Sequence, residues 1–186
     1  MTRSYYYFIA SLPLLDFDQP LPFPVEKFRA DCERLLVPSD YQDILCVLED
    51  RLLHGHHDLI RRMARVRDLF FQELGQRRRR MYQHHAQEQH SEEYSPYPRI
   101  TELLNHADQA SHPLAAEILI AKTMWHYLDE LTAGHIFGMD HLLVYAFRLK
   151  ILARFEEIHS SRGSDTLVDL KRKSINVYIG THGSGD

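Results

Sequence analysis

The sequence has little of what usually betrays an enzyme or a membrane protein. Among 186 residues there are two cysteines, one tryptophan and eight glycines. Two thiols, Cys32 and Cys46, are too few for a disulfide framework or a cysteine-rich zinc site, and they suit a reducing compartment. No apolar run approaches the roughly 18 residues that a bilayer-crossing helix requires. The aromatic stretch from Tyr5 to Leu12 runs straight into Pro13 and a Pro/Phe-rich segment. A secretory signal has a longer aliphatic core and a small-residue cleavage site instead. The expectation is a soluble cytoplasmic chain. Three motifs are also missing: the GxSxG nucleophile elbow, the GxxxxGK[ST] phosphate loop and the GxGxxG dinucleotide turn. The closing Gly-Thr-His-Gly-Ser-Gly has the composition of a phosphate loop but no lysine and no helix after it. No catalytic residue and no cofactor is therefore expected.

What is present describes a globular protein. The apolar fraction is 44%, far above that of a disordered chain. Acidic residues outnumber basic ones 26 to 22, a net charge of −4. That balance argues against duplex nucleic acid, whose affinity comes mainly from cationic contacts to phosphate. The length fits one domain with a core large enough to need no covalent staples.

Periodicity predicts a mostly α fold, a single bundle-like domain over residues 1–180 with a flexible tail at 180–186. Four prolines from Pro13 to Pro24 forbid regular helix there, and residues 1–23 are expected to form an extended aromatic segment lying across the helices. Tyr5–Leu12 itself is short enough to be strand or helix. Pro24 opens a helix to about Leu36. Ser39 and Gln42 form a capping box for a second, Asp40 to about Leu53, closed by the turn Leu53-His54-Gly55-His56-His57. A third helix spans Asp58 to about Gln83, and the polar residues 84–98 read as a mobile connection. Ile100–Ala110 is a short helix. Ser111 caps a long one from His112 to about Ala133, with Gly134 at its end. Asp140 to about Ser160 is apolar around most of its circumference and should be the buried central helix. Thr166–Ile179 is a weak last helical segment.

Three constellations are candidates for chemistry. Thirteen histidines include two clusters, His54/His56/His57 and His84/His85/His90, but neither has the convergent spacing of a metal site, and both read best as solvated loop. His126 and Glu130, spaced i, i+4 and followed by His135 and His141, define the alternative of a helical metal-binding protein. The Glu-x-x-His spacing of di-metal bundles is not met. Arg61, Arg62, Arg65, Arg67 and Arg77 to Arg80 make one helix strongly cationic. They suggest an acidic protein partner or, as a further alternative, a basic module for RNA or an anionic surface.

Two stretches carry a family signal. One is Tyr5-Tyr6-Tyr7-Phe8-Ile9-Ala10-Ser11-Leu12-Pro13, then Leu15-Asp16-Phe17-Asp18 and Pro20-Leu21-Pro22-Phe23, leading to Phe28, Cys32 and Leu36. The other is Leu128-Asp129-Glu130-Leu131, then Phe137-Gly138-Met139-Asp140, Leu142-Leu143 and Tyr145-Ala146-Phe147-Arg148-Leu149. Together they resemble a bacterial family encoded within V/A-type ATP synthase operons, at the place where the C/d-type subunit is expected. The second stretch is also similar to the C-terminal segment of that V-type ATPase component, an all-helical socket between the rotor shaft and the proteolipid ring. The resemblance covers the two ends of the chain and leaves the middle unmatched. It implies a non-catalytic ATPase component or assembly factor, with central-stalk subunits and the proteolipid ring as partners. Such a protein would be cytoplasmic, peripheral to the inner membrane only through its complex. Aromatic and arginine side chains dominate interface hot spots. The candidate partner-binding residues are accordingly Tyr5, Tyr6, Tyr7, Phe17, Phe23, Arg61, Arg62, Arg65, Arg77, Arg78, Phe137 and Tyr145.

Overall fold

Proline sets the start of the early helices. In the computed structural model, which describes residues 5–84, 98–132 and 138–159, Pro24 sits in extended backbone (φ −62°, ψ 148°) as the N-cap of a helix. In chain order, α1 is Tyr6–Ser11, α2 Val25–Leu35 and α3 Pro38–Leu48; α4 is Asp58–His84, α5 Pro98–Asp108, α6 Pro113–Thr132 and α7 Met139–His159. Among the described residues there is no strand, so the fold is all-α as the periodicity predicts. Phe137, His135, Gly134, most of the 84–98 connection, the Thr166–Ile179 segment and the tail lie outside the described residues.

Besides α5, which runs Pro98–Asp108 rather than Ile100–Ala110, three boundaries differ from expectation, each for a local reason. The α3 helix begins at Pro38, not Asp40, because proline at the first helical position loses no hydrogen bond and presets φ. No side chain caps it, and the Ser39 hydroxyl contacts Asp40 Oδ1 at 3.1 Å instead. The same helix stops at Leu48 rather than Leu53 in a Schellman motif. Asp50 takes the left-handed conformation (φ 61°), while the Arg51 and Asp50 amides donate to the carbonyls of Cys46 (2.8 Å) and Val47 (3.3 Å). The long α6 helix is capped not by Ser111 but by His112, whose Nδ1 accepts the Ala115 N–H at 3.1 Å ahead of Pro113. At the N-terminus, Tyr6–Ser11 forms a short helix, and the segment that follows it stays irregular up to Pro24.

The core gathers around α7. Leu142, Leu143, Ala146 and Leu149 are wholly enclosed there, alongside Phe28 of α2, Ile44 and Val47 of α3, Ile60 of α4 and Leu128 of α6. Each fully buried large apolar side chain stabilises the fold by about 1.5–3 kcal/mol. The N-terminal segment straps this assembly. Phe17 packs edge-on against both Trp125 and Phe155, at 5.6 Å from each. Tyr145 Oη donates to the Pro13 carbonyl (3.2 Å), and the Leu21 amide donates to Glu156 (3.1 Å).

The second half of α4 is held differently. Arg77 lies largely buried, with its guanidinium against Glu73 on its own helix (3.9 Å). It also donates to three groups of α5: the Thr101 carbonyl (2.9 Å), Asn105 Oδ1 (2.5 Å) and Asp108 (2.5 Å). One side chain thus latches α5 onto α4.

Candidate functional site

The direction of the helices around α7 creates an open space. Arg154 pairs with Glu117 (3.0 Å) and Arg148 with Asp129, so α6 runs antiparallel to α7. His57, just before α4, reaches Asp140 at the start of α7 (3.7 Å), so α4 and α7 start at the same end. Between α4 and α6, with α7 as floor, lies a cleft of about 290 Å³. Met63, Val66, Phe70 and Phe71 of α4 form one wall and Ile120, Ala121, Met124 and Leu128 of α6 the other; Phe147, Ile151 and Phe155 of α7 lie beneath. Phe71 is 60% exposed at the lip, its ring edge-on to Phe70 at 5.9 Å.

Charged groups rim this apolar space. The Asp50 carboxylate lies 2.8 Å from Lys150 Nζ and 3.6 Å from Arg67. Lys150 also donates to the Val47 carbonyl at 3.2 Å, at the end of α3. Farther along, Arg154 faces Glu117. The left-handed turn that ends α3 therefore delivers one carboxylate to two cations.

The aromatic candidates divide into two groups. Tyr5 is half-buried and donates to Asp40 at 2.5 Å. Phe17 is enclosed as described, Phe23 stacks on Tyr145 at 6.4 Å, and Tyr145 leans on Phe28 at 5.2 Å. Burial pushes the Tyr145 phenol up to about 12. These four serve the fold. Tyr6 and Tyr7, edge-to-face at 5.4 Å, remain in solvent with Leu14; Tyr7 is 88% and Leu14 92% exposed. Leu14 is not among the candidate partner-binding residues, because an apolar residue of this segment is expected to pack on the helices, as Leu15, Phe17, Leu21 and Phe23 do and Leu14 does not.

The arginine candidates divide as well. Arg62 pairs with Asp58 at 2.7 Å and Arg61 with the same carboxylate at 3.9 Å. Arg67 belongs to the cleft rim and Arg77 to the α4–α5 latch. Arg65 and Arg79 are exposed on α4, and Arg78 lies in the same helix. Part of the cationic run is thus engaged inside the molecule.

The histidines of the turn before α4 act locally: the His57 Nδ1 accepts the Leu59 amide (3.3 Å), and the His56 amide donates to buried Asp43 (2.7 Å). Gly55 of this turn is required by space, since a Cβ there would stand 2.5 Å from Ile60 Cγ2. His126 and Glu130 lie on an exposed face of α6, with Glu130 3.8 Å from Arg99. Among the described residues, no three His, Cys, Asp or Glu side chains converge as a metal site would require. Cys32 is fully enclosed and burial pushes its thiol up to about 12. Cys46 is raised by burial too. Such thiols behave as small hydrophobes rather than nucleophiles. No helix among the described residues is long and apolar enough to cross a membrane. No protein-family model matches the chain, and neither a curated protein nor a solved structure shows significant similarity to it.

Proposed function

We propose that this chain is a non-catalytic component or assembly factor of a V/A-type proton- or sodium-translocating ATPase, similar in role to the C/d-type subunit, that docks to central-stalk subunits. It works as a rigid helical body and meets the membrane only through the proteolipid ring of its complex. The observation that carries the interaction reading is the exposure of Tyr7 and Leu14 while their neighbours Phe8 and Leu15 are buried. The alternation clamps the segment in place and holds two large side chains in water. Apolar groups presented this way on an ordered scaffold are typical of protein-binding surfaces. The specific choice of an ATPase rests on the resemblance of the two ends of the sequence.

The test is affinity purification of the tagged chain from its native cell, with the co-purifying proteins identified by mass spectrometry. Central-stalk subunits should co-purify in stoichiometric amounts. Tyr7→Ser combined with Leu14→Ser should reduce their recovery by about tenfold, which corresponds to about 1.4 kcal/mol of binding. Absence of every ATPase subunit from the purified material would end the proposal.

A further inference from the structure

The cleft between α4 and α6 has the lining of a helix bundle with one position open. On α4 the residues Met63, Val66 and Phe70 follow the spacing i, i+3, i+7, and on α6 so do Ala121, Met124 and Leu128. Bundle cores are built from such stripes, each apolar seam facing the others around a shared axis. Here three seams face one space and nothing from the described residues fills it. The stripe from Glu117 to Leu128 is about 16 Å long, or roughly three helical turns.

We infer that this cleft is the seat of a fourth helix supplied by a partner protein, amphipathic and with acidic residues flanking its apolar stripe. The charge at the rim selects the flank. Arg67, Lys150 and Arg154 stand against Asp50 and Glu117, and Asp50 serves two of the three cations. A carboxylate on the incoming helix would complete that side, the ordinary arrangement in helix-in-groove recognition. The same rim disfavours the chain's own residues 160–186, in which Asp165 and Asp169 beside Leu167, Val168 and Leu170 are outweighed by Lys171-Arg172-Lys173. It equally disfavours α4 of a second copy, whose outer face carries Arg61, Arg65 and Arg79. The inference rests on reading the chain as an interaction protein, and it adds a second, separate contact site to the Tyr7 surface.

Photo-crosslinking in the native cell separates the two claims. The full chain carries p-benzoylphenylalanine at Phe71 in one strain and at Tyr7 in another. Adducts are mapped by peptide mass spectrometry after irradiation. The expected result at Phe71 is attachment to one helical segment of another protein, with apolar residues at i, i+3/i+4, i+7 and an acidic flank. Ala121→Phe, which fills the cleft with apolar volume, should lower that yield at least about tenfold, as loss of about 1.4 kcal/mol or more would. Its circular dichroism and the Tyr7 adduct should persist. Met124→Lys serves as a second block on the partly exposed face of α6. Adducts at Phe71 confined to this chain, to a lipid or to a segment without that pattern would overturn the inference. So would a yield indifferent to both blocks. Adducts at Tyr7 with none at Phe71 would remove the cleft site and leave the proposed function standing. Adducts at neither position would remove both.

Discussion

The two sides of α7 are built differently. On the side of α2, α3 and the N-terminal strap, side chains close completely over Phe28, Ile44, Val47 and Leu142. On the side of α4 and α6, the flanking helices stand apart over Ile151 and Phe155, joined at one end by α5 and the Arg77 latch. The first side turns its apolar groups onto one another. The second retains Met124, Phe70 and Phe71 around an open space. A closed core and an open groove thus share one helix.

The strongest probe of that contrast is truncation at the closed side. Phe28→Ala should lower stability by about 3–5 kcal/mol, because Phe28 is wholly enclosed and its removal leaves a cavity. Chemical denaturation measures this. On the open side, Arg77→Ala should cost about 2–3 kcal/mol through its charged hydrogen bonds to α5. Hydrogen exchange should show α5 and the distal part of α4 losing protection while α7 keeps it. Equal loss in α7 would mean that the two sides are one cooperative unit. Gly55→Ala should cost about 1–3 kcal/mol by pressing against Ile60 at the junction of the two sides.

Alkaline pH tests the closed side without mutation. The Cys32 thiol is raised from 9.0 to about 12 and the Tyr145 phenol from 10.0 to about 12 in the folded protein. Folding therefore favours their protonated forms. The associated stability is fully present below the ordinary values and is lost as pH climbs from 9.0 towards about 12. Stability relative to that at neutral pH should fall through that window, and the fall should be smaller in Cys32→Val. Iodoacetamide should leave Cys32 unmodified in the native protein at mildly alkaline pH. At the far end of the scale, Phe71→Ala should change stability by no more than about 0.5 kcal/mol, as for an exposed side chain. A larger loss would mean that Phe71 already belongs to a closed core.

Much of this architecture is legible from residue spacing. The near-continuous apolar circumference of Leu142–Ile158 identifies α7 as central, and its buried residues extend as far as Leu152, whereas Ile158 at its end is exposed. Helix ends are harder to read. Pro38 outcompetes the Ser39/Gln42 signature, and a non-glycine residue, Asp50, supplies the left-handed stop that sequence rules assign to glycine. The aromatic N-terminus cannot be divided by composition, since Tyr5, Tyr6 and Tyr7 are identical in kind. Only the turn of α1 sends Tyr5 to Asp40 and Tyr7 to solvent. The cleft leaves no mark in any single stretch, because its seams come from three helices far apart in the chain. Arg77 is indistinguishable from its three arginine neighbours until α5 is placed beside it.

Asp50 gives the groove an adjustable charge at the end of α3. Asparagine tolerates the left-handed backbone nearly as well as any residue except glycine, so Asp50→Asn preserves the stop of α3. It would nonetheless strip Lys150 and Arg67 of their shared carboxylate. One atom-scale exchange at a helix end would make the mouth of the cleft more positive by a full charge. Asp50→Asn would therefore sharpen the proposed preference of the cleft for an acidic helix without altering its apolar lining.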